Sequence, residues 1–187
     1  MAEIDSVVSP RSFEILVQWL YLGRVLFSES TPKECITTTI EFVRLADMCG
    51  VTRIETRIAE YIKAIFIANP ARKASKFEQD RDPDTNTYSL APKHITSAAL
   101  LPSGHLVRKV LATAAVEGYV RRDRYKFLKE IREAPDFVVN LLLEIKETLK
   151  TVAISESKIS FTDPLSRKTL LFVTDSGRII SINDFYL

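Results

Sequence analysis

Two histidines, His94 and His105, and two cysteines, Cys35 and Cys49, are where metal or acid–base chemistry would have to begin in this chain. A zinc site needs three or four such ligands, usually at spacings such as HxxxH, HExxH or CxxC. Neither histidine has a second histidine or a cysteine at such a spacing, and each lies near a predicted helix start. His105 with Asp123 or Glu117 would make an acid–base pair, but carboxylates near one histidine are what chance supplies in a chain with 27% charged residues. Cys35 and Cys49 fall on predicted helices and read as buried free thiols of a reducing compartment rather than as a disulfide. G-x-S-x-G, the P-loop and G-x-G-x-x-G are all missing from the sequence, and five glycines leave little scope for loops that cradle phosphate. Glu41, Asp47, Glu55 and Glu60 are spaced for caps and solvent faces. No catalytic, cofactor or metal site is therefore expected.

Charge offers a second kind of chemistry. Arg121-Arg122-Asp123-Arg124-Tyr125-Lys126-Phe127-Leu128-Lys129-Glu130-Ile131-Arg132 reads as a basic amphipathic helix, and basic residues beside aromatics can hold phosphate and stack bases. The same run also fits an inward face of Tyr125, Leu128, Ile131 and Arg132 with a solvated basic back. Leu45 to Arg53 mimics a helix-turn-helix corner, yet Ile54, Ile58 and Ile62 are out of phase with the positions a recognition helix would bury, and Glu55 and Glu60 would face phosphates. A net charge of +2 does not itself argue for nucleic acid.

The elements that must position these residues are mostly helical. A length of 187 residues and 46% apolar content suit a globular protein of one domain or one and a half. No apolar run approaches the roughly 20 residues that span a bilayer, and the acidic opening Met1-Ala2-Glu3-Ile4-Asp5 is unlike a secretory signal. Ser9-Pro10 predicts a helix start and Gly23 its left-handed cap, with Phe13, Leu16, Val17, Leu20 and Tyr21 forming one face. Arg24 to Phe27 is expected as a short strand. Thr31-Pro32-Lys33-Glu34 is a capping box opening a helix that runs to Gly50 with Ile36, Ile40, Val43 and Met48 inward. Thr52-Arg53-Ile54-Glu55 reads as a second capping box, before a helix that buries Ile54, Ile58, Tyr61, Ile62 and Ile65.

Residues 69–92 are polar and read as a linker or loop loosely pinned by Phe77 and Tyr88. Helices are then expected over Lys93 to Leu101, over Gly104 to Tyr119 with Ser103 as cap, over Asp123 to Glu133, and from Pro135 through Phe137 to Val152. The last, rich in Val139, Leu141, Leu142, Leu143, Ile145 and Leu149, is expected at the centre of the core. The period then changes: Lys158 to Thr162, Thr169 to Val173 and Arg178 to Ile182 predict a small antiparallel meander. Three strands alone are marginal, so the meander must pack on something.

The helix ending Trp19-Leu20-Tyr21-x-Gly23, followed by Leu45-Ala46-Asp47-Met48-Cys49-Gly50-Val51 and another amphipathic helix, resembles the helical second half of a BTB/POZ domain of the fungal type. The resemblance covers residues 10 to 67, and residues His94 to Val152 are similar to the helical extension that follows the domain in many fungal members. It implies a non-catalytic module that binds other proteins. Only nine residues precede Pro10, so the family's opening strands and the helix of its homodimer interface have no expected counterpart. Self-association would need a different surface, and docking of a cullin scaffold is left open because it uses that first half.

The reading is thus a mainly α protein with a BTB/POZ-like helical core, a helical extension and a small C-terminal antiparallel β meander. Its segments are 1–68 (partial BTB/POZ-like region), 69–92 (linker), 93–153 (extension) and 154–187 (meander). The expected function is that of an intracellular, cytoplasmic or nuclear, protein-interaction adaptor or scaffold, with no cofactor and no membrane. The alternative is a DNA-associated or transcription-linked protein using the basic face of residues 121–132. Partner contacts are assigned to Trp19, Tyr21 and Phe27, to Arg121, Arg122 and Arg124, and to Ile180 and Phe185, with the strand at Arg178 to Ile182 as an edge for an added strand.

Overall fold

The computed structural model describes residues 9–70, 87–121, 126–172 and 179–181. The Ser9 hydroxyl accepts the Ser12 N–H at 3.1 Å, Pro10 takes the first helical position, and Gly23 closes the helix at φ 62°, so α1 runs Pro10–Leu22 as its punctuation predicts. Thr31 and Glu34 satisfy each other's backbone N–H groups at 3.2 Å, opening α2 (Pro32–Met48). The expected capping box at Thr52 does not form. Arg53 turns left-handed (φ 70°) to bring Ile54 into the interior, and α3 (Glu55–Ala68) starts at Ile54 without a side-chain cap. Residues 24–27 are irregular rather than a strand, because Arg11 and Gln18 side chains take up the backbone of Leu26.

Of the linker, Thr87, Ser89 and Leu90 are described and buried while Tyr88 is exposed; Phe77 lies outside the described residues. Four more helices follow: α4 (Pro92–Ala99), α5 (Leu106–Val120), α6 (Leu128–Glu133) and α7 (Pro135–Leu149). The central helix is α5, not α7. It lies against α3, α4 and α7 and buries Val107, Leu111, Ala112, Ala114, Ala115, Val116 and Gly118 around much of its circumference. Its small residues let neighbouring backbones approach on several sides. On α7 only Phe137, Leu141 and Thr148 are fully buried, while Val139, Leu142, Leu143 and Leu149 face outward. The helix expected from Asp123 is likewise shorter. Phe127 is left-handed (φ 66°), so α6 starts after it, Leu128 is exposed, and residues 122–125 lie outside the described residues.

The C-terminal sheet is antiparallel in the order β1 (Ala153–Ser155), β2 (Lys158–Thr162), β3 (Thr169–Leu171). The first hairpin pairs Ile154 with Ile159 across Glu156 and Ser157, both at positive φ as a two-residue primed turn demands. The second pairs Phe161 with Leu170. The sheet rests on the helical core through Leu165, buried Phe161 meets Phe172 edge-on at 5.1 Å, and Arg121 Nε donates to the Leu171 carbonyl at 3.2 Å. The expected third strand is reduced, among the described residues, to a bridge between Lys158 and Ser181. Mainly helical with a small C-terminal antiparallel sheet, the fold is of the class expected.

Candidate functional site

The outward side of α1 carries large apolar residues that nothing among the described residues covers. Its contact with α2 uses Ser12, Ile15 and Leu16, so the neighbouring stripe is left bare. Phe13 is 56% exposed, Val17 36%, Leu20 61%, Tyr21 85% and Leu22 57%. Phe13, Val17 and Tyr21 line one side of a shallow apolar groove, and Pro10, Glu14, Gln18 and Leu22 line the other. At about 200 Å² for each large apolar side chain, Phe13, Val17, Leu20 and Tyr21 leave roughly 480 Å² uncovered on this side, within the range of a typical monomer's largest patch.

Of the residues assigned to partner contacts, Tyr21 stands fully on this face. Trp19 is half-buried beside it, with the Arg57 guanidinium 5.6 Å from its ring centroid. Phe27 is instead part of the scaffold, stacked on Tyr61 at 4.4 Å and 15°. Arg121 is committed to the fold: Nη1 bonds buried Glu117 at 2.6 Å. Ile180 donates its N–H to the Phe172 carbonyl and accepts from the Ile159 N–H, which ties this residue to the sheet, while residues 178 and 182 of the expected edge lie outside the described residues. Arg122, Arg124 and Phe185 lie outside the described residues.

The titratable residues are used structurally. His94 Nδ1 accepts the Ala91 N–H at 3.0 Å at the start of α4, so Nε2 carries the proton and faces Thr37 Oγ1 at 2.9 Å and the Lys33 carbonyl at 3.2 Å. Burial, with Lys93 and Lys33 nearby, lowers its pKa to about 4. His105 replaces the expected Ser103 cap, its Nδ1 accepting the Val107 N–H at 3.1 Å. Burial lowers its pKa too, against the pull of Glu55 and Asp47. Its nearest ionic neighbour is Glu55 at 4.0 Å, not Glu117; Asp123 lies outside the described residues. Both cysteines are free, but Cys49 is exposed and Cys35 half-buried, contrary to the expected burial. Burial raises the Cys35 thiol above its ordinary range and pushes the adjoining Tyr61 up to about 12, so neither ionises readily.

A cleft of about 480 Å³ lies between α3, α5, α7 and the β2–β3 turn. Threonine hydroxyls alternate in it with both signs of charge, and it holds no histidine or cysteine. Thr113 Oγ1 lies 3.1 Å from Glu144 Oε2, itself 3.9 Å from the Lys109 ammonium on its other oxygen. Among the described residues no three His, Cys, Asp or Glu side chains gather as metal ligands, and no helix is long and apolar enough to cross a membrane.

No family model, curated protein or solved structure matches the chain. The site therefore rests on its own geometry. The α1 stripe was visible in the sequence as an apolar helix face, but periodicity does not say whether a face is covered. The histidine caps carried only a faint signal, a histidine at each predicted helix start.

Proposed function

We propose that this protein is a non-catalytic protein–protein interaction adaptor or scaffold of the BTB/POZ type, acting inside the cell, and that the bare face of α1 is its docking surface. The single observation carrying this reading is that Phe13, Val17, Leu20 and Tyr21 expose an apolar stripe on a regular, doubly capped helix. Such a stripe is costly to leave in water and is what an interface uses. The order of α1, α2 and α3 agrees with the resemblance in residues 10–67. Both histidines are taken up as caps at helix starts. No observation favours the DNA-associated alternative. Arg121 is turned to Glu117 and the Leu171 carbonyl, and residues 121–132 are not one helix.

The test is mass spectrometry of co-purified proteins beside the measured mass of the complex, for the native chain and for a Leu20→Glu/Tyr21→Glu variant. Partners lost in the variant, with helicity unchanged, are the expected result. A native chain that is monomeric and purifies alone would contradict the reading.

A further inference from the structure

We propose that the cleft between α3, α5, α7 and the β2–β3 turn binds a small organic carboxylate, its charged head held by Lys63 and Arg167 and its body laid on Ala59, Val110 and Leu165. No residue of α1 lines this cleft, so it stands apart from the docking face. At about 480 Å³ it falls within the roughly 300–1,000 Å³ of small-molecule sites. Buried Ala59 and Leu165 and half-buried Val110 give it apolar walls.

Three cations and three carboxylates line the cleft, and they are unequally committed. Lys109 lies 3.9 Å from Glu144, and Glu147 is held at 2.6 Å by Lys150, which is not part of the lining. Glu60 is exposed to solvent. Lys63 and Arg167 have neither an ion-pair partner nor a side-chain hydrogen bond among the described residues. Lys63 is half-buried, where water offsets an unpaired ammonium only in part. Arg167 sits on a rigid turn. The buried Asp163 carboxylate accepts the Ser166 N–H at 2.8 Å, and the Asp163 backbone takes the Arg167 N–H at 2.9 Å and the Lys168 carbonyl at 2.8 Å. Its backbone is left-handed at φ 61°, which glycine would adopt without strain. Strain of this kind collects where a side chain is held for a ligand. Two uncommitted cations call for an anion. Three carboxylates in the same lining repel a dianion such as phosphate and favour a monoanionic carboxylate. The Thr56 and Thr162 hydroxyls, unbonded among the described residues, are further donors in the lining.

Protein-observed NMR of the full chain, titrated with 3-phenylpropanoate at constant ionic strength, tests the site. A probe of this size should bind with a Kd of about 1 mM and shift the amides of residues 162–168 and those around Lys63. The neutral 3-phenylpropanamide and inorganic phosphate should each bind about tenfold more weakly, or worse. Lys63→Met and Arg167→Gly should each weaken the carboxylate about tenfold, with Arg167→Lys recovering part of the loss. Glycine suits the left-handed turn and methionine keeps the lysine stem, so neither change endangers the fold. No shift with 3-phenylpropanoate, or shifts confined to another part of the protein, would overturn the site. Equal binding of the amide would overturn the charged head, and tighter binding of phosphate would overturn the carboxylate class. An equal loss in Lys129→Met, at an exposed lysine outside the cleft, would overturn the assignment to Lys63 and Arg167.

Discussion

Acid should loosen the start of α4, and His94 provides the quantity. Its imidazole is 1% exposed and neutral, with Nδ1 accepting from Ala91 and Nε2–H directed at Thr37 and Lys33. A second proton would point an N–H at the Ala91 N–H and place a buried charge near Lys33 and Lys93. The unfolded chain protonates near 6.5 and the folded one near 4. Between these values the unfolded state binds more protons, so stability is full above about pH 6.5 and is lost as pH falls toward 4. The loss attributable to this group is about 3 kcal/mol. Urea unfolding from pH 7.5 to 4 measures it, with His94→Asn as a control that keeps an acceptor for Ala91 but does not titrate. The native chain's advantage over His94→Asn should shrink by about 3 kcal/mol across that range. An advantage that does not change with pH, or a His94 resonance titrating near 6.5, would refute the reasoning.

Three further outcomes follow from the packing. Arg108 is buried with Nη1 on the Leu101 carbonyl at 2.9 Å, Nε without a partner and only exposed Asp136 as a counter-charge at 3.9 Å; Arg108→Met should therefore stay within about 1 kcal/mol of the native chain, or exceed it, in urea unfolding. Arg121→Ala removes a close ionic partner of buried Glu117 and should cost about 3 kcal/mol in the same assay, rather than act through nucleic-acid affinity. On α7, Leu141→Ala should lower stability by about 2–5 kcal/mol and Leu142→Ala by less than ~1 kcal/mol, a difference that thermal unfolding resolves easily.

Local chemistry made much of this fold legible. Ser9-Pro10, Gly23 and the Thr31–Glu34 box are short-range signals whose partners lie within a turn, and each is satisfied as its residues predict. Lys158–Thr162 was equally legible from its alternation. Errors came where a distant neighbour decides. Phe13, Val17, Leu20 and Tyr21 on α1, and Val139, Leu142 and Leu143 on α7, have core composition yet find no covering element among the described residues. The alanines of α5 look unassertive but occupy the centre because small residues fit where several helices converge. Glu156-Ser157 lacks the Asn-Gly signature of a tight hairpin, so β1 was not assigned as a strand of the meander. The candidate site was half legible. Tyr21 and Trp19 lie on or beside the bare face of α1, while Phe27 and Arg121, chosen by residue type, are held by Tyr61 and Glu117.

The claim that α1 is a docking face is tested most directly by hydrogen exchange along Pro10–Leu22, in the isolated monomeric state and in the assembled complex. Among the described residues this helix leans chiefly on α2 and should exchange well before α5, which is covered on several sides. On assembly its amides should slow by at least about tenfold, with the change centred on Val17. Unchanged exchange in α1, with protection appearing elsewhere on the protein, would contradict the account.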